Sequence, residues 1–333
     1  MDGSRQSAFT GHGGRLEAAM AAWPQAPKPW ADLSTGINPW PYPAPRATRA
    51  ERSRLPDPER IAALESTAAR AFGVADPARV LATAGAEAAL RRLPEIVGGE
   101  TVWVKAPTYA SHAAAWTAAG RRLVTAPDGA DVAVVVNPNN PDGALETPET
   151  LRQRADLAAA RGGWLVVDES FIETLARASV APLQHPRIVI LRSFGKFYGL
   201  AGLRLGFVIG DPDLIRRLRA HQGDWPVSAD AIAAGLAAYA DDAWADRTRA
   251  RLARRAAALD RALLRSGLEV VGGTSLFRLA RAADVQTRFA ALCAAGILTR
   301  PFADQPDWLR FGLPTATVLR RLDTVLTKFG SPT

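Results

Sequence analysis

The sequence predicts an α/β protein: a mostly parallel sheet with helices on both faces, followed by a smaller α+β domain. Three observations predict it. Short, β-branched apolar runs alternate with helix-like stretches from about residue 57 to 210, and such runs read as strands buried on both faces. Three of the runs end in polar signatures, which is where an open parallel sheet gathers its ligand contacts. After Gly210 the texture changes to long Ala/Arg/Leu-rich stretches and then to a few short strands.

The elements follow in order. Residues 24 to 58 hold Pro24, Pro27, Pro29, Pro39, Pro41, Pro43, Pro45, Pro56 and Pro58. Proline fixes φ and removes a backbone donor, so this stretch is irregular and wraps or links. Residues 59–72 and 149–161 read as helices. Strands are expected at Val80-Leu81-Ala82, Thr101 to Val104, Val132 to Val136, Trp164 to Val167, Ile188 to Leu191 and Leu205 to Ile209. Asp211-Pro212 starts a helix, with proline at its first position, and helices run to about Ser266. Strands at Glu269-Val270-Val271 and Ser275 to Leu279 and a helix from Val285 complete the chain. The expected organisation is an N-terminal arm over 1–56, a large α/β domain over 57–210 and a small α+β domain over 211–333. No internal repeat stands out.

At 333 residues the chain can bury a substantial core, and 48% apolar with 22% charged residues is ordinary for a soluble globular protein. Cys293 is the single cysteine, so no internal disulfide can form, and no Cys/His spacing suits a metal; a reducing cytoplasm is expected. The N-terminus lacks the apolar core of a signal peptide, no stretch is long enough to span a bilayer, and the chain reads as unprocessed with no membrane partner. A net charge of +8 raises the question of nucleic acid. Of 41 basic residues, however, four are lysines (Lys28, Lys105, Lys196 and Lys328), and the arginines are spread along the chain. No nucleic-acid partner is expected. The scarcity of lysine also leaves few candidates for amine chemistry.

The three polar signatures are Asn137-Pro-Asn-Asn-Pro-Asp-Gly143, Asp168-Glu-Ser-Phe171 and Ser193-Phe-Gly-Lys196. Each alone has an ordinary explanation as a turn, a helix cap or a chance pair. Together, each at a strand end, they offer an amine, a carboxylate and anion donors. Pyridoxal 5′-phosphate (PLP) asks for that combination: an amine to form a Schiff base, an acid at the pyridine nitrogen and donors for the phosphate.

In this order, NPNNPDG, VVDESF and SFGKFYGLAGLRLG resemble the fold-type I aminotransferase superfamily, above all its histidinol-phosphate aminotransferase branch, over most of the chain. The resemblance implies the fold of a fold-type I PLP-dependent transferase. It implies that Lys196 carries PLP, that Asp168 pairs with the pyridinium nitrogen and that Asn140 bonds the phenolic oxygen. Ser193 and Arg204 would bind the cofactor phosphate, together with backbone amides where Gly85-Ala86-Glu87 opens a helix. Tyr109, in Ala106-Pro-Thr-Tyr-Ala-Ser-His112, matches the aromatic residue that stacks on the ring.

Two further segments bear on the reaction. Arg310, in Trp308-Leu-Arg-Phe-Gly312, resembles the arginine that grips an amino-acid carboxylate. Gly11-His12-Gly13-Gly14-Arg15 and Leu33-Ser-Thr-Gly-Ile-Asn38-Pro39 are similar to the HGGN…DFSxNINP pattern of the L-threonine-O-3-phosphate decarboxylases. That likeness implies decarboxylation of L-threonine O-3-phosphate to (R)-1-amino-2-propanol O-2-phosphate in cobalamin biosynthesis, with His12, Gly13, Asn38, Asn140, Arg300 and Arg310 on the substrate. Which arginine takes which anion stays open. Phe171 and Leu55 stand where the superfamily usually has tyrosines, one reaching the cofactor oxygen and one the neighbouring subunit's cofactor phosphate. A homodimer is implied by the resemblance. Histidinol-phosphate amino transfer is the nearest alternative, and a non-catalytic PLP-binding regulator is one of another class.

Overall fold

The computed structural model describes residues 9–329; the outer ends of the expected arm and small domain, residues 1–8 and 330–333, lie outside them. In chain order the first elements are α1 (Leu16–Ala22), β1 (Ala31–Asp32), α2 (Arg49–Arg52), α3 (Pro58–Phe72), β2 (Val80–Thr83), α4 (Ala86–Val97), β3 (Thr101–Val104), α5 (Ser111–Ala118) and β4 (Arg122–Val124). Then come β5 (Val132–Val136), α6 (Pro148–Ala159), β6 (Trp164–Asp168), β7 (Ile188–Ser193), α7 (Phe194–Phe197), β8 (Gly206–Ile209), α8 (Pro212–Gln222), α9 (Ala229–Ala238) and α10 (Asp242–Arg265). The last are β9 (Glu269–Thr274), β10 (Phe277–Arg281), α11 (Val285–Ala294), β11 (Ile297–Leu298), β12 (Arg300–Pro301), β13 (Trp308–Gly312) and α12 (Ala316–Leu326).

The described residues form two compact units: residues 40–140 with 144–245, and residues 9–39 with 141–143 and 246–329. The change of sequence texture after Gly210 thus precedes the change of unit, which falls within α10. α8 and α9 pack in the larger unit, on α4 and α3 respectively.

The larger unit holds seven strands in the order β2-β8-β7-β6-β5-β3-β4. All run parallel except β8, which is antiparallel to both neighbours. Every residue of β2, β8 and the first five of β7 is buried, the pattern of strands covered on both faces. Side chains alternate across a strand, and the alternation assigns the faces. Leu81, Val134, Val166, Val189, Leu191 and Val208 join α4, α5 and α8 in one core. Their neighbours in the chain, such as Val80, Leu165, Ile190 and Phe207, are buried on the other side.

The helices begin where chemistry dictates. Asp57 and Thr147 cap α3 and α6 through their side chains, each with proline next, and Asp211 does the same for α8. α3 ends on Gly73 in the left-handed conformation. All six strands expected in the larger sheet are present. β4 was not legible: its three residues, Arg-Leu-Val, lie on the sheet edge and two are exposed, so neither alternation nor a buried run marks them.

The smaller unit has a four-stranded sheet, β12-β13-β10-β9, antiparallel throughout, with α11 and α12 packed together. In addition β1 pairs in parallel with β11, so the N-terminal segment is part of this unit's hydrogen-bonded framework.

Candidate active site

Register decides which residues share an edge in the larger unit. Asp168 ends β6 opposite Leu191, Ser193 ends β7 opposite Gly206, and Gly206 starts β8 opposite Thr83, the end of β2. Because β8 runs backwards, its first residues lie beside the last residues of its neighbours. Asn137 to Asn140 after β5, Asp168, Ser193, Arg204 and Gly85 therefore gather along one edge, as expected.

Asp168 has the parity of Val166, so it faces the core that holds α5. There His112, on the first turn of α5, places Nε2 2.9 Å from Asp168 Oδ2, and Ser170 N donates to Oδ1 at 2.9 Å. Asp168 is 4% and His112 1% exposed. Burial works against the charge of this carboxyl, but the His112 ring and the Ser170 group outweigh it and hold Asp168 below the ordinary carboxylate range. A buried anion is thus ready to meet a cationic ring nitrogen. The sequence reading quoted His112 and gave it no role; the signal was its spacing of three from Tyr109, which brings both rings to one side of a helical turn. The two rings meet edge to face at 6.2 Å. Tyr109 Oη donates to Glu87 Oε2 at 3.2 Å, and burial, with the Glu87 carboxylate, raises its pKa.

The β5 turn is pinned by two of its asparagines. Asn137 exchanges hydrogen bonds with Glu146, donating to its carbonyl and accepting from its amide. Asn139 donates to Pro107 O and accepts from Thr108 Oγ1. Asn140 follows them at 8% exposure.

Lys196 sits in α7, half-buried between Phe194 and Phe197, which are fully buried. Its Nζ lies 5.6 Å from the centre of the Phe171 ring, so Phe171 offers Lys196 a π face where a tyrosine would add a hydroxyl. Gly195 is required here: a Cβ would stand 2.4 Å from Ala201 Cα. Ser193, the residue before α7, spends no side-chain bond on capping that helix.

An anion cradle lies beside it. Gly85 precedes α4 with φ +85° and no side-chain cap, and a Cβ there would stand 2.7 Å from Arg204 Nη2. On Gly206 a Cβ would meet Ala86 N at 2.3 Å. Two glycines thus let an arginine and the start of a twelve-residue helix approach each other. Helix N-termini favour anions, and Arg204 and Ser193 add charge and a hydroxyl. This donor set fits PLP: phosphate donors, a buried carboxylate and a lysine amine on one sheet edge.

The smaller unit brings together a second set. Arg300 and Arg310 are direct partners on β12 and β13, 7% and 4% exposed. Arg300 Nη2 donates to Gly11 O at 2.8 Å and Arg310 Nη2 to Ser34 O at 2.7 Å. His12 and Gly13 follow Gly11 directly; His12 is exposed. Asn38, 2% exposed, lies four residues beyond Ser34. Ser34 Oγ accepts from Gly14 N and donates to Asp32 Oδ1, so these two residues fix the segment; the sequence reading gave neither a role.

Fold and residues together define a family. The chain belongs to the class I and II aminotransferases, whose family matches residues 37–326. It is 39% identical to the threonine-phosphate decarboxylase of Pseudomonas aeruginosa, over 96% of this chain and 98% of that one, and 38% identical to that of a Sinorhizobium species, over 95% and 97%. Among solved structures, histidinol-phosphate aminotransferase from Sinorhizobium meliloti in complex with pyridoxal-5′-phosphate superposes with a TM-score of 0.83 at 22% identity, covering 94% of each chain.

Proposed function

We propose that this protein catalyses PLP-dependent decarboxylation of L-threonine O-3-phosphate, yielding (R)-1-amino-2-propanol O-2-phosphate for cobalamin biosynthesis. The observation that carries the reading is the Arg300/Arg310 pair. Two buried guanidinium side chains on directly opposed strand positions, each donating to a carbonyl of the N-terminal segment, gather positive charge and planar donors that suit a substrate with both a carboxylate and a phosphate. Two full-length relatives named as threonine-phosphate decarboxylases support it.

The cofactor is PLP, which when bound withdraws electrons from bonds at the substrate's Cα. The protein does the rest. The α4 amides at Ala86 and Glu87, Ser193 and Arg204 hold the phosphate of the cofactor, and Tyr109 covers its ring. Asn140 bonds its phenolic oxygen, without a tyrosine hydroxyl from position 171. Asp168, kept ionised by His112, holds the ring nitrogen's proton. Arg300, Arg310, His12, Gly13 and Asn38 grip the substrate's anions and orient its Cα–carboxylate bond, and orientation selects which bond breaks. Lys196 Nζ would anchor the cofactor in the resting enzyme and, once the substrate amine had displaced it and left it protonated, would return that one proton to Cα after CO2 leaves. One C–C bond is lost and one C–H bond gained, so no oxo acid is consumed.

Functionally, residues 57–210 supply the cofactor contacts, while the arm over 1–56 and residues 211–333 supply most substrate contacts. The protein acts as a homodimer, as the resemblance suggests, in the cytoplasm. No helix among the described residues is long and apolar enough to cross a membrane.

The test is to incubate purified holoenzyme with phosphothreonine, threonine or histidinol phosphate, with and without 2-oxoglutarate, and to measure CO2 and amine product. CO2 from phosphothreonine without 2-oxoglutarate is expected. Amino transfer from histidinol phosphate as the main activity would overturn the reading.

A further inference from the structure

The N-terminal loop and the two arginines are joined through one serine, in a closed circuit. Arg300 and Arg310 are strand partners; Arg300 holds Gly11 and Arg310 holds Ser34. Ser34 completes the circuit. Its Oγ accepts from Gly14 N at 2.8 Å and donates to Asp32 Oδ1 at 2.5 Å, and Asp32 Oδ1 also accepts from Ser34 N at 2.8 Å. The hydroxyl proton is therefore committed to the carboxylate, and a lone pair is aimed at the loop amide.

Packing is equally restrictive. A Cβ on Gly13 would stand 2.2 Å from Ser34 O, and one on Gly312 2.2 Å from Thr35 O. Gly312 N donates to Leu33 O, and Leu33 N to Leu298 O. The segment 32–35 is thus held by strands on one side and holds the loop 11–14 on the other. Ser34 is 2% exposed.

We propose that Ser34, oriented by Asp32, is a positioning residue that couples the Gly11 to Gly14 loop to the Arg300/Arg310 pair, so that tight recognition of a phosphate requires the docked loop. This rests on the reading of a doubly anionic substrate. Ser34 acts through Arg310 and through the loop that carries His12, and it touches no reacting atom. A mere cross-link between two segments would lose stability on mutation and leave anion recognition unchanged, which separates the two roles.

Arg15 closes the loop, and trypsin needs the backbone around it released into an extended form, so cleavage after Arg15, followed by peptide mass, reports undocking. With holoenzyme, inorganic phosphate is expected to slow this cleavage in a saturable way. In Ser34→Ala both side-chain hydrogen bonds, from Gly14 N and to Asp32 Oδ1, are gone, and cleavage is expected to be about tenfold faster, with about tenfold more phosphate needed for half-protection. KM for phosphothreonine should rise about tenfold while kcat stays within about twofold, the signature of lost binding. Gly312→Ala, whose Cβ would stand 2.2 Å from Thr35 O and so displace the Ser34 segment from the strand side, should give the same pattern and serves if Ser34→Ala does not fold. Phosphate protection and KM equal to wild type in both variants would overturn the coupling, even if their melting temperatures fell. If phosphate protects the wild type far better than Ser34→Ala, yet no CO2 is released from phosphothreonine, the substrate reading falls and the coupling stands.

Discussion

Asp168 shows how one side chain depends on a neighbour that sequence order conceals. Its carboxylate is buried, its charge opposed by desolvation, and it stays ionised through His112 and Ser170. Replacing His112 by alanine leaves a buried carboxylate without its ring partner, and losing a hydrogen bond to a charged group costs about 1.5–3 kcal/mol. The sign with pH follows from linkage. A carboxyl held below its unfolded value of 3.8 contributes stability that is fully present above that pH and is lost as pH falls through the lower, folded value. The stability gap between wild type and His112→Ala, measured by urea unfolding, is therefore expected to be full at pH 7 and to shrink below pH 3.8. A gap that is constant into acid would contradict the pairing. The acid limb of the kcat profile should also move to higher pH in the variant, because more of Asp168 is then protonated.

At the scale of elements, the junction of β2, β8 and α4 decides whether the anion cradle exists. Gly206 faces the backbone of Ala86, and a Cβ 2.3 Å from that nitrogen has no flexible side chain to displace. Gly206→Ala must therefore shift the first turn of α4, at a cost of about 1–3 kcal/mol for overpacking. PLP is expected to bind at least about tenfold more weakly, since 1.4 kcal/mol lost at the phosphate corresponds to that factor; equilibrium dialysis giving wild-type affinity would sink the argument. Much of this was legible beforehand. Buried β-branched runs announced six strands of the larger sheet, polar signatures at their ends announced Asp168, Ser193 and Lys196, and the family resemblance added Arg204. What was illegible arises from contacts distant in sequence. Arg192, one residue before Ser193, faces the opposite side of the sheet, where its guanidinium meets Glu169 at 3.0 Å and Glu173 at 2.7 Å over the Phe72 ring. That buried triad ties the ends of β6 and β7, and only strand parity together with register reveals it. Likewise the two-residue strands β1, β11 and β12 carry no periodicity, yet β12 places Arg300 opposite Arg310 and the β1–β11 pair ties the N-terminal segment to the smaller unit.

Across the whole molecule the scarcity of lysine becomes a structural argument. Four lysines stand among 41 basic residues. Lys28 and Lys328 are exposed, and Lys105 is held by Glu146 at 2.5 Å, with Arg154 on the other oxygen of the same carboxylate. Lys105 follows β3 at the same edge, but its amine is taken by Glu146, whereas Lys196 follows β7 beside Ser193 and the anion cradle. Arginine keeps the charge of lysine but cannot form a Schiff base at ordinary pH. A chain carrying Lys28→Arg, Lys105→Arg and Lys328→Arg is therefore expected to keep the visible absorbance of lysine-bound PLP, since a guanidinium in place of the Lys105 amine can still pair with Glu146. Borohydride reduction followed by peptide mass analysis should place the pyridoxyl group on Lys196. The complementary change, Lys196→Ala in the otherwise natural chain, should abolish that absorbance after dialysis while the fold persists, because the side chain is half-buried and its neighbours Phe194 and Phe197 anchor the turn without it. A band that survived in Lys196→Ala, or vanished in the triple variant, would move the anchor to another lysine and with it the whole assignment of the edge.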